Sequence, residues 1–212
     1  MKRVPVLTVV LGALVVVLIA VVVALVVVDD DDGDHMDGRM TPGMVVAGAG
    51  TTSEPGYLAE MVAHHREAVT AARELARSDR PEMRRLGEDV VRTQTAQIEQ
   101  MTAWLADWYP DQSLDVDYEP MMRDLSGLSG DRLDRTFLVD MVPHHMAAVM
   151  MSQHLVVRGS EHEEVADLAR EIRDEQHAEI LVMRRWLADW FGVRGWDHAG
   201  GGMGSHRMWS GS

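Results

Sequence analysis

Apolar residues recur at the three- and four-residue spacing of an α-helix along two long stretches of the chain. The first stretch begins at Tyr57 and the second at Phe137, and each is interrupted once, over 77–81 and 158–160. Each stretch therefore predicts two consecutive helices. No segment alternates apolar and polar residues as a half-buried strand does. The pattern predicts an all-α fold.

The two stretches are also alike in sequence, and they define an internal repeat over 57–109 and 137–191. A pair of adjacent histidines aligns in the two copies, and both copies end in a segment that contains WLADW. One helical hairpin cannot bury its apolar stripe alone, whereas two hairpins packed together can. We therefore predict a four-helix bundle over 56–191, whose hairpins are joined by a connection with one helical turn near Met121.

Residues 1–28 carry two cations, Lys2 and Arg3, followed by a long uncharged apolar run, and aspartates follow at 29–32. At about 1.5 Å per residue, a helix of this length spans a hydrocarbon core of roughly 30 Å. This predicts a single transmembrane anchor with a cytoplasmic N-terminus, so that the bundle is extracytoplasmic at the cell membrane. The alternative is a cleaved signal peptide and a secreted protein. The length of the run and the lack of a small-residue cleavage pattern favour the anchor.

Composition excludes several classes of function. The formal net charge is −14 and there is a single lysine. Nucleic acid is therefore not an expected partner, because phosphate binding requires clustered cations. The absence of cysteine excludes disulfides, thiolate metal sites and cysteine nucleophiles. Residues 29–55 have the composition of a flexible acidic linker with methionines, and 192–212 that of a tail rich in glycine, histidine and methionine.

Helical geometry places both histidine pairs, at 64–65 and 144–145, on the side of their helices that faces the core. The partner helices also put polar side chains on their buried faces, namely Gln94, Gln97, Gln176 and Glu179. Buried polar groups require partners. Since imidazole is the commonest metal ligand, two matching pairs favour metal binding. The alternative is a hydrogen-bond network in the core that joins the two repeats.

The predicted metal ligands are histidines, methionines and one carboxylate of the bundle: His64, His65, His144, His145, Met141, Glu179 and Met61. Further contributing residues are Asp140, Glu60, Gln176, Gln97, Met150, Met183, His35 and His206. Thioethers and imidazoles without cysteine favour copper over zinc or iron. Methionines that merely fill gaps in the core are the alternative. Pro143, well inside its helix, predicts a kink just before the second histidine pair.

The second repeat resembles the domain of unknown function family 305. The motif that carries this resemblance is MVPHH at 141–145, preceded by DRTFL at 134–138 and followed by QHAEILVM at 176–183. The resemblance covers about 57–191. It implies a ferritin-like four-helix bundle, often secreted or anchored in bacteria, and some members are His/Met-rich copper binders of the periplasm.

The same resemblance assigns site roles to residues of the second repeat: Met141, His144, His145, Gln176, Glu179 and Met183. The first repeat departs from the motif, because Ala63 stands in place of the proline and Gln97 in place of the glutamate. Metal sites made by both repeats would therefore not be equivalent.

Together these features predict a membrane-anchored, extracytoplasmic protein that binds copper for sequestration or handover and has no catalytic residue. One alternative is a metal-free helical interaction module of the cell envelope. Another is a ferritin-like di-metal oxidase, which is disfavoured because no Glu-x-x-His pair lies on the relevant helix faces. The expected partners are a metal ion and the membrane.

Overall fold

The computed structural model describes residues 53–193. This part of the chain forms α1 (Glu54–Arg73), a 3₁₀ turn (Glu74–Arg77), α2 (Pro81–Trp108), α3 (Gly130–Arg158) and α4 (Glu163–Phe191). α1 packs along α2 and α3 along α4, and the two hairpins meet through α1 and α3. No strand occurs within the described range. The predicted all-α four-helix fold is confirmed.

The remaining sequence predictions fall partly beyond this range. The anchor at 1–28, the linker up to residue 52 and the tail from residue 194 lie outside the described residues. Within the described residues, none of the helices combines the length and the apolarity needed to cross a membrane.

Local sequence explains where the helices begin and end. The Ser53 hydroxyl accepts the amide N–H of Gly56 at 3.3 Å, and Pro55 fits the first turn, where no amide donor is needed. α1 therefore starts at Glu54, two residues before the predicted start of the bundle. Gly159 and Gly192 follow the ends of α3 and α4 with φ of 90° and 67°, values that glycine adopts without a steric cost.

The apolar core consists of two clusters that reflect the repeat. One cluster contains Met61 and Met101, and the other contains the equivalent residues Met141 and Met183. All four methionines are fully buried, as the apolar stripe predicts. Pro143 lies within α3, which continues through it to Arg158.

The WLADW segments occupy matching places at the ends of α2 and α4. Trp104 stacks on Trp108 with ring centroids 5.4 Å apart, and Trp186 stacks on Trp190 at 4.9 Å. Trp108 and Trp190 are both half-buried. The repeat therefore extends to the packing of these indoles.

The connection between the hairpins differs from its prediction, because the helical turn expected near Met121 is absent. The Glu67 carboxylate accepts the backbone N–H groups of Met121 and Met122 at 2.9 and 2.8 Å. Two residues on, the Arg123 guanidinium binds the carboxylate of Asp140. These bonds hold residues 118–125, here called the strap, across α1 and α3. The strap itself contains no helix.

Candidate metal centre

The four histidines of the two pairs form one cluster in the bundle interior, where each is at most 1% exposed. His64 and His144, which are repeat equivalents, have ring centroids 3.7 Å apart. The rings within each pair lie 6.2 and 6.1 Å apart. The cluster therefore has His64 and His144 at its centre, with His65 and His145 on either side. The two pairs meet because α1 and α3, the helices that carry them, pack against each other.

The outer histidines make the same hydrogen bond in both repeats. His65 Nε2 lies 2.9 Å from Gln97 Oε1, and His145 Nε2 lies 2.6 Å from Glu179 Oε2. Gln97 and Glu179 are equivalent positions of the repeat, so the amide of one copy stands where the other has a carboxylate. In both cases the oxygen accepts, and the Nε2 atom therefore carries the proton.

His64, at the centre of the cluster, bonds to the backbone instead of a side chain. Its Nε2 donates to the backbone carbonyl of His144 at 3.0 Å. In three of the four rings the Nε2–H group thus donates to an oxygen. In a neutral imidazole of this form, the free lone pair is on Nδ1. In the described part of the chain, Nδ1 of all four histidines is buried and has no hydrogen-bond partner.

Lowered pKa values keep the lone pairs of three of the buried histidines free of protons. Burial lowers the pKa of His65 to about 3, with repulsion from neighbouring imidazoles as a smaller cause. Burial and the same neighbours hold the pKa of His64 well below its ordinary value. Burial also lowers the pKa of His144, although the Glu67 carboxylate acts in the opposite direction. These three imidazoles are therefore neutral near pH 7, the state that binds metal.

The donor set fits a soft transition metal. In metal-binding histidines the second ring nitrogen usually donates to a carboxylate or carbonyl, which fixes the tautomer and the ring orientation. The acceptors here are Glu179, the amide oxygen of Gln97 and the carbonyl of His144. Met61 and Met141 lie one helical turn before the histidine pairs, and thioethers with imidazoles suit copper.

The possible metal ligands lie close together, but they do not form a complete metal site. Among residues 53–193, no three histidine, aspartate or glutamate side chains are arranged to hold a metal ion together. A bound ion would therefore need a methionine sulfur as an additional ligand, or a rotation of the imidazoles that brings Nδ1 atoms together.

Other predicted site residues occupy varied positions. Gln176 is buried, and neither atom of its amide has a hydrogen-bond partner in the described structure. Asp140 is directed to Arg123 instead of the histidines, because the guanidinium binds both of its oxygens. Met150 is 43% exposed and Glu60 is half-exposed on α1. His35 and His206 lie outside the described residues.

Glu67 is a further residue of the site that the sequence did not indicate. Its Oε2 atom lies 3.2 Å from Nε2 of His144 and also accepts the hydroxyl of Tyr118. Burial alone would raise the pKa of Glu67, but the His144 ring, the Tyr118 hydroxyl and the Met122 amide outweigh it and lower the pKa to about 2. Glu67 follows His64 by one helical turn, a spacing that could have identified it. Its repeat equivalent is Ala147, so the repeat gave no signal.

Fold and site together define a class: a bundle of two repeated helical hairpins with paired, buried histidines at their contact. The chain belongs to the family described as "Domain of unknown function (DUF305)", whose sequence model matches residues 54–187 and again 134–211. This confirms the resemblance found in the second repeat.

Solved structures of similar proteins share this fold. CopM in the Cu(I)-bound form is 28% identical over 67% of this chain and all of its own, with a TM-score of 0.61, and it is also known in Cu(II)- and Ag-bound forms. A DUF305 protein from Streptomyces coelicolor is 29% identical, with a TM-score of 0.57, over 63% of this chain and 89% of its own. A DUF305 fragment from Deinococcus radiodurans is 31% identical, also with a TM-score of 0.57, over 65% of this chain and 97% of its own. No curated protein matches the chain.

Proposed function

We propose that this chain is an extracytoplasmic copper-binding protein, whose histidine cluster holds the ion for sequestration or for handover to another protein. The observation that carries this function is the set of buried Nδ1 atoms without partners, on imidazoles whose Nε2–H groups are already bonded to oxygen. The similarity to CopM, which has been solved with Cu(I), Cu(II) and Ag, supports copper as the ion.

A purely structural network explains the cluster less well. Its purpose would be to satisfy buried polar groups, yet each pair leaves its Nδ1 atoms unsatisfied, and Gln176 adds both atoms of its amide. Leaving one buried polar group unsatisfied costs about 1–3 kcal/mol. Copper binding removes part of this cost, because imidazole nitrogens that accept no hydrogen bond become ligands.

The surrounding charges also favour a cation. Two carboxylates contact the cluster, Glu67 at His144 and Glu179 at His145. A bound copper ion in this interior would be only weakly solvated, and nearby negative charge offsets that loss. The carboxylate of Glu179 would in addition increase the basicity of the His145 ring.

The direct test is a titration of the full-length chain with Cu(I) and Cu(II), run beside Zn(II). We expect the double variant His144→Ala, His145→Ala to lose the tightest copper site, because it removes one donor from the centre and one from the edge of the cluster. His154→Ala is the matched control, since His154 is exposed on the same helix. A double variant that binds copper as tightly as the parent would make the histidines structural, and the protein a metal-free bundle.

The proposed location rests on the sequence of residues 1–28, which supports an uncleaved membrane anchor. Mass spectrometry of protein from native membranes should therefore find the N-terminus intact. A mature N-terminus near Asp29 would mean a cleaved signal peptide and a secreted copper-binding protein.

A further inference from the structure

A cavity of about 510 Å³ lies between the strap and α1, on one side of the histidine cluster. Its lining includes Ala63, Arg66, Glu67, Thr70, Tyr118 and Arg123. Arg66, Thr70 and Arg123 are exposed, so the cavity opens to solvent. Its inner wall, in contrast, reaches the interior of the bundle.

Glu67 forms that inner wall and connects the cavity to the cluster. One of its oxygens accepts the Tyr118 hydroxyl and lies 3.2 Å from Nε2 of His144, at the centre of the cluster. The other oxygen accepts the two strap amides, those of Met121 and Met122. The Tyr118 ring packs edge-on against His64 at 6.1 Å. One carboxylate thus lines a solvent-accessible cavity and contacts a buried histidine.

We propose that this cavity is the access route for the metal cation, and that Glu67 is the ligand from which the cation passes to His144. The strap is then the gate, because the Tyr118 hydroxyl occupies the carboxylate oxygen that the cation needs. This inference rests on the proposed copper-binding function.

The physical reason is that neutral imidazoles do not attract a cation through a weakly polar interior. An ionised carboxylate that lines a solvent-accessible cavity concentrates cations locally and raises the rate at which they associate. Glu179, the other carboxylate at the cluster, accepts the hydrogen bond from His145 and does not line this cavity. Glu74 and Asp124 also line the cavity, and of these carboxylates Glu67 is the one that contacts a histidine of the cluster.

The competing explanation is that Glu67 only clamps the strap, and two substitutions separate the explanations by the sign of their effects. Glu67→Gln removes the charge but keeps an oxygen acceptor, whereas Tyr118→Phe keeps the ring and frees the carboxylate oxygen. If Glu67 receives the cation, the first change slows association and the second speeds it. If Glu67 is only a clamp, both changes loosen the strap, and both speed association.

The experiment is stopped-flow mixing of each full-length variant with glycine-buffered Cu(II), beside an equilibrium titration. We expect association at least tenfold slower in Glu67→Gln, with a smaller change in the dissociation constant, and faster association in Tyr118→Phe. Glu88→Gln, an exposed carboxylate on α2, is the control and should match the parent. Faster association in both variants, or unchanged rates in both, would overturn the access route while copper binding stands. A parent chain that binds no copper would overturn the proposed function itself.

A second measurement needs no metal. In the metal-free Tyr118→Ala variant, diethyl pyrocarbonate should modify His64 and His144 faster than in the parent, while His65 and His145 keep their protection. Peptide mass spectrometry gives the rate at each ring, and circular dichroism verifies that the variants remain helical. Equal protection of all four rings in Tyr118→Ala would show that the strap does not close a path to the cluster, and would overturn the route.

Discussion

The histidine pair of the first repeat and that of the second are built alike but are charged differently. His65 bonds to the neutral amide of Gln97, and His145 bonds to the carboxylate of Glu179. The central rings differ in the same sense, because Glu67 approaches His144 whereas His64 donates to a backbone carbonyl. Both carboxylates at the cluster therefore face the second repeat's pair. The repeat makes the fold symmetric, while residue differences between the two copies concentrate the negative charge at the second histidine pair.

The amide of Gln97 does have an acidic neighbour, because its nitrogen donates to Glu175 at 3.2 Å. Burial raises the pKa of Glu175 to about 7, with repulsion from Glu171 and Glu179 as further causes. The carboxyl group beyond Gln97 is thus only partly ionised near neutral pH. A cation would be held more strongly on the side of the second pair.

Acid should have the largest effect on stability, and it should distinguish the two pairs. In the unfolded chain a histidine binds its proton near pH 6.5, but the folded chain lowers the pKa of His64, His65 and His144. Between the two pKa values the unfolded state binds more protons, so the free energy of unfolding falls as the pH drops below about 6.5. The raised pKa of Glu175 acts in the opposite direction, since its stabilisation is lost as the pH rises towards 7.

Because three histidines are opposed by one glutamate, the free energy of unfolding should fall as the pH drops from 7 to 5, and each proton taken up on unfolding contributes about 1.4 kcal/mol per pH unit. Denaturant unfolding of the metal-free protein at pH 7, 6 and 5 measures it, and Glu175→Gln should steepen the slope. NMR should show His144 protonating at a higher pH than His65, because Glu67 favours the charged form of His144. A free energy of unfolding that does not change with pH would mean that the rings are solvated.

The sequence predicted the symmetric part of this comparison and missed the asymmetric part. Helical periodicity and the repeat predicted the four helices and the burial of the histidine pairs, because these follow from local pattern and from packing of equal units. Even the Gln97–Glu179 difference was visible as a departure from the motif. These are properties of residues close together on one helix face.

The strap and Glu67 could not be predicted in the same way. Glu67 accepts hydrogen bonds from backbone amides of a segment without helical pattern. Every residue except proline has such an amide, so the pattern of side chains does not reveal the contact. The Arg123–Asp140 pair joins the strap to α3. Because no pattern in the sequence indicates this pair, Asp140 was assigned to the histidine site instead. Contacts made by irregular chain depend on its path, which no local pattern specifies.

The next largest effect concerns two aromatic residues of the second repeat, one at its start and one at its end. Phe137 is fully buried, and Phe137→Ala should cost about 3–5 kcal/mol, since it leaves a cavity in the core. Trp190→Ala, at a half-buried ring, should cost less. Urea unfolding of both variants at pH 7 gives the comparison. A smaller loss for Phe137→Ala than for Trp190→Ala would contradict the assigned core.

Exchanging the acceptors of the outer histidines tests whether the charge difference matters for copper. Glu179→Gln gives the second pair the amide of the first, and we expect copper affinity to fall about 10- to 100-fold, the usual effect of losing a group that orients a ligand. The metal-free variant should remain folded, because the bond of Gln97 to His65 shows that an amide fits. Competition titration against a copper chelator measures the affinity. An unchanged affinity would mean that the second pair gains nothing from its carboxylate.

The smallest effect should come from a polar pair that one repeat has and the other lacks. The Tyr57 hydroxyl bonds to Ser152 at 3.0 Å, whereas the equivalent positions are Phe137 and Ala72, both in one apolar cluster. Tyr57→Phe or Ser152→Ala alone should cost about 1 kcal/mol, because each leaves one buried hydroxyl without its partner. The double variant copies the apolar pair of the other repeat, and removing both polar groups together should cost less than the two single losses added. A double-mutant cycle by urea unfolding measures this coupling, and strictly additive losses would show that the bond contributes nothing.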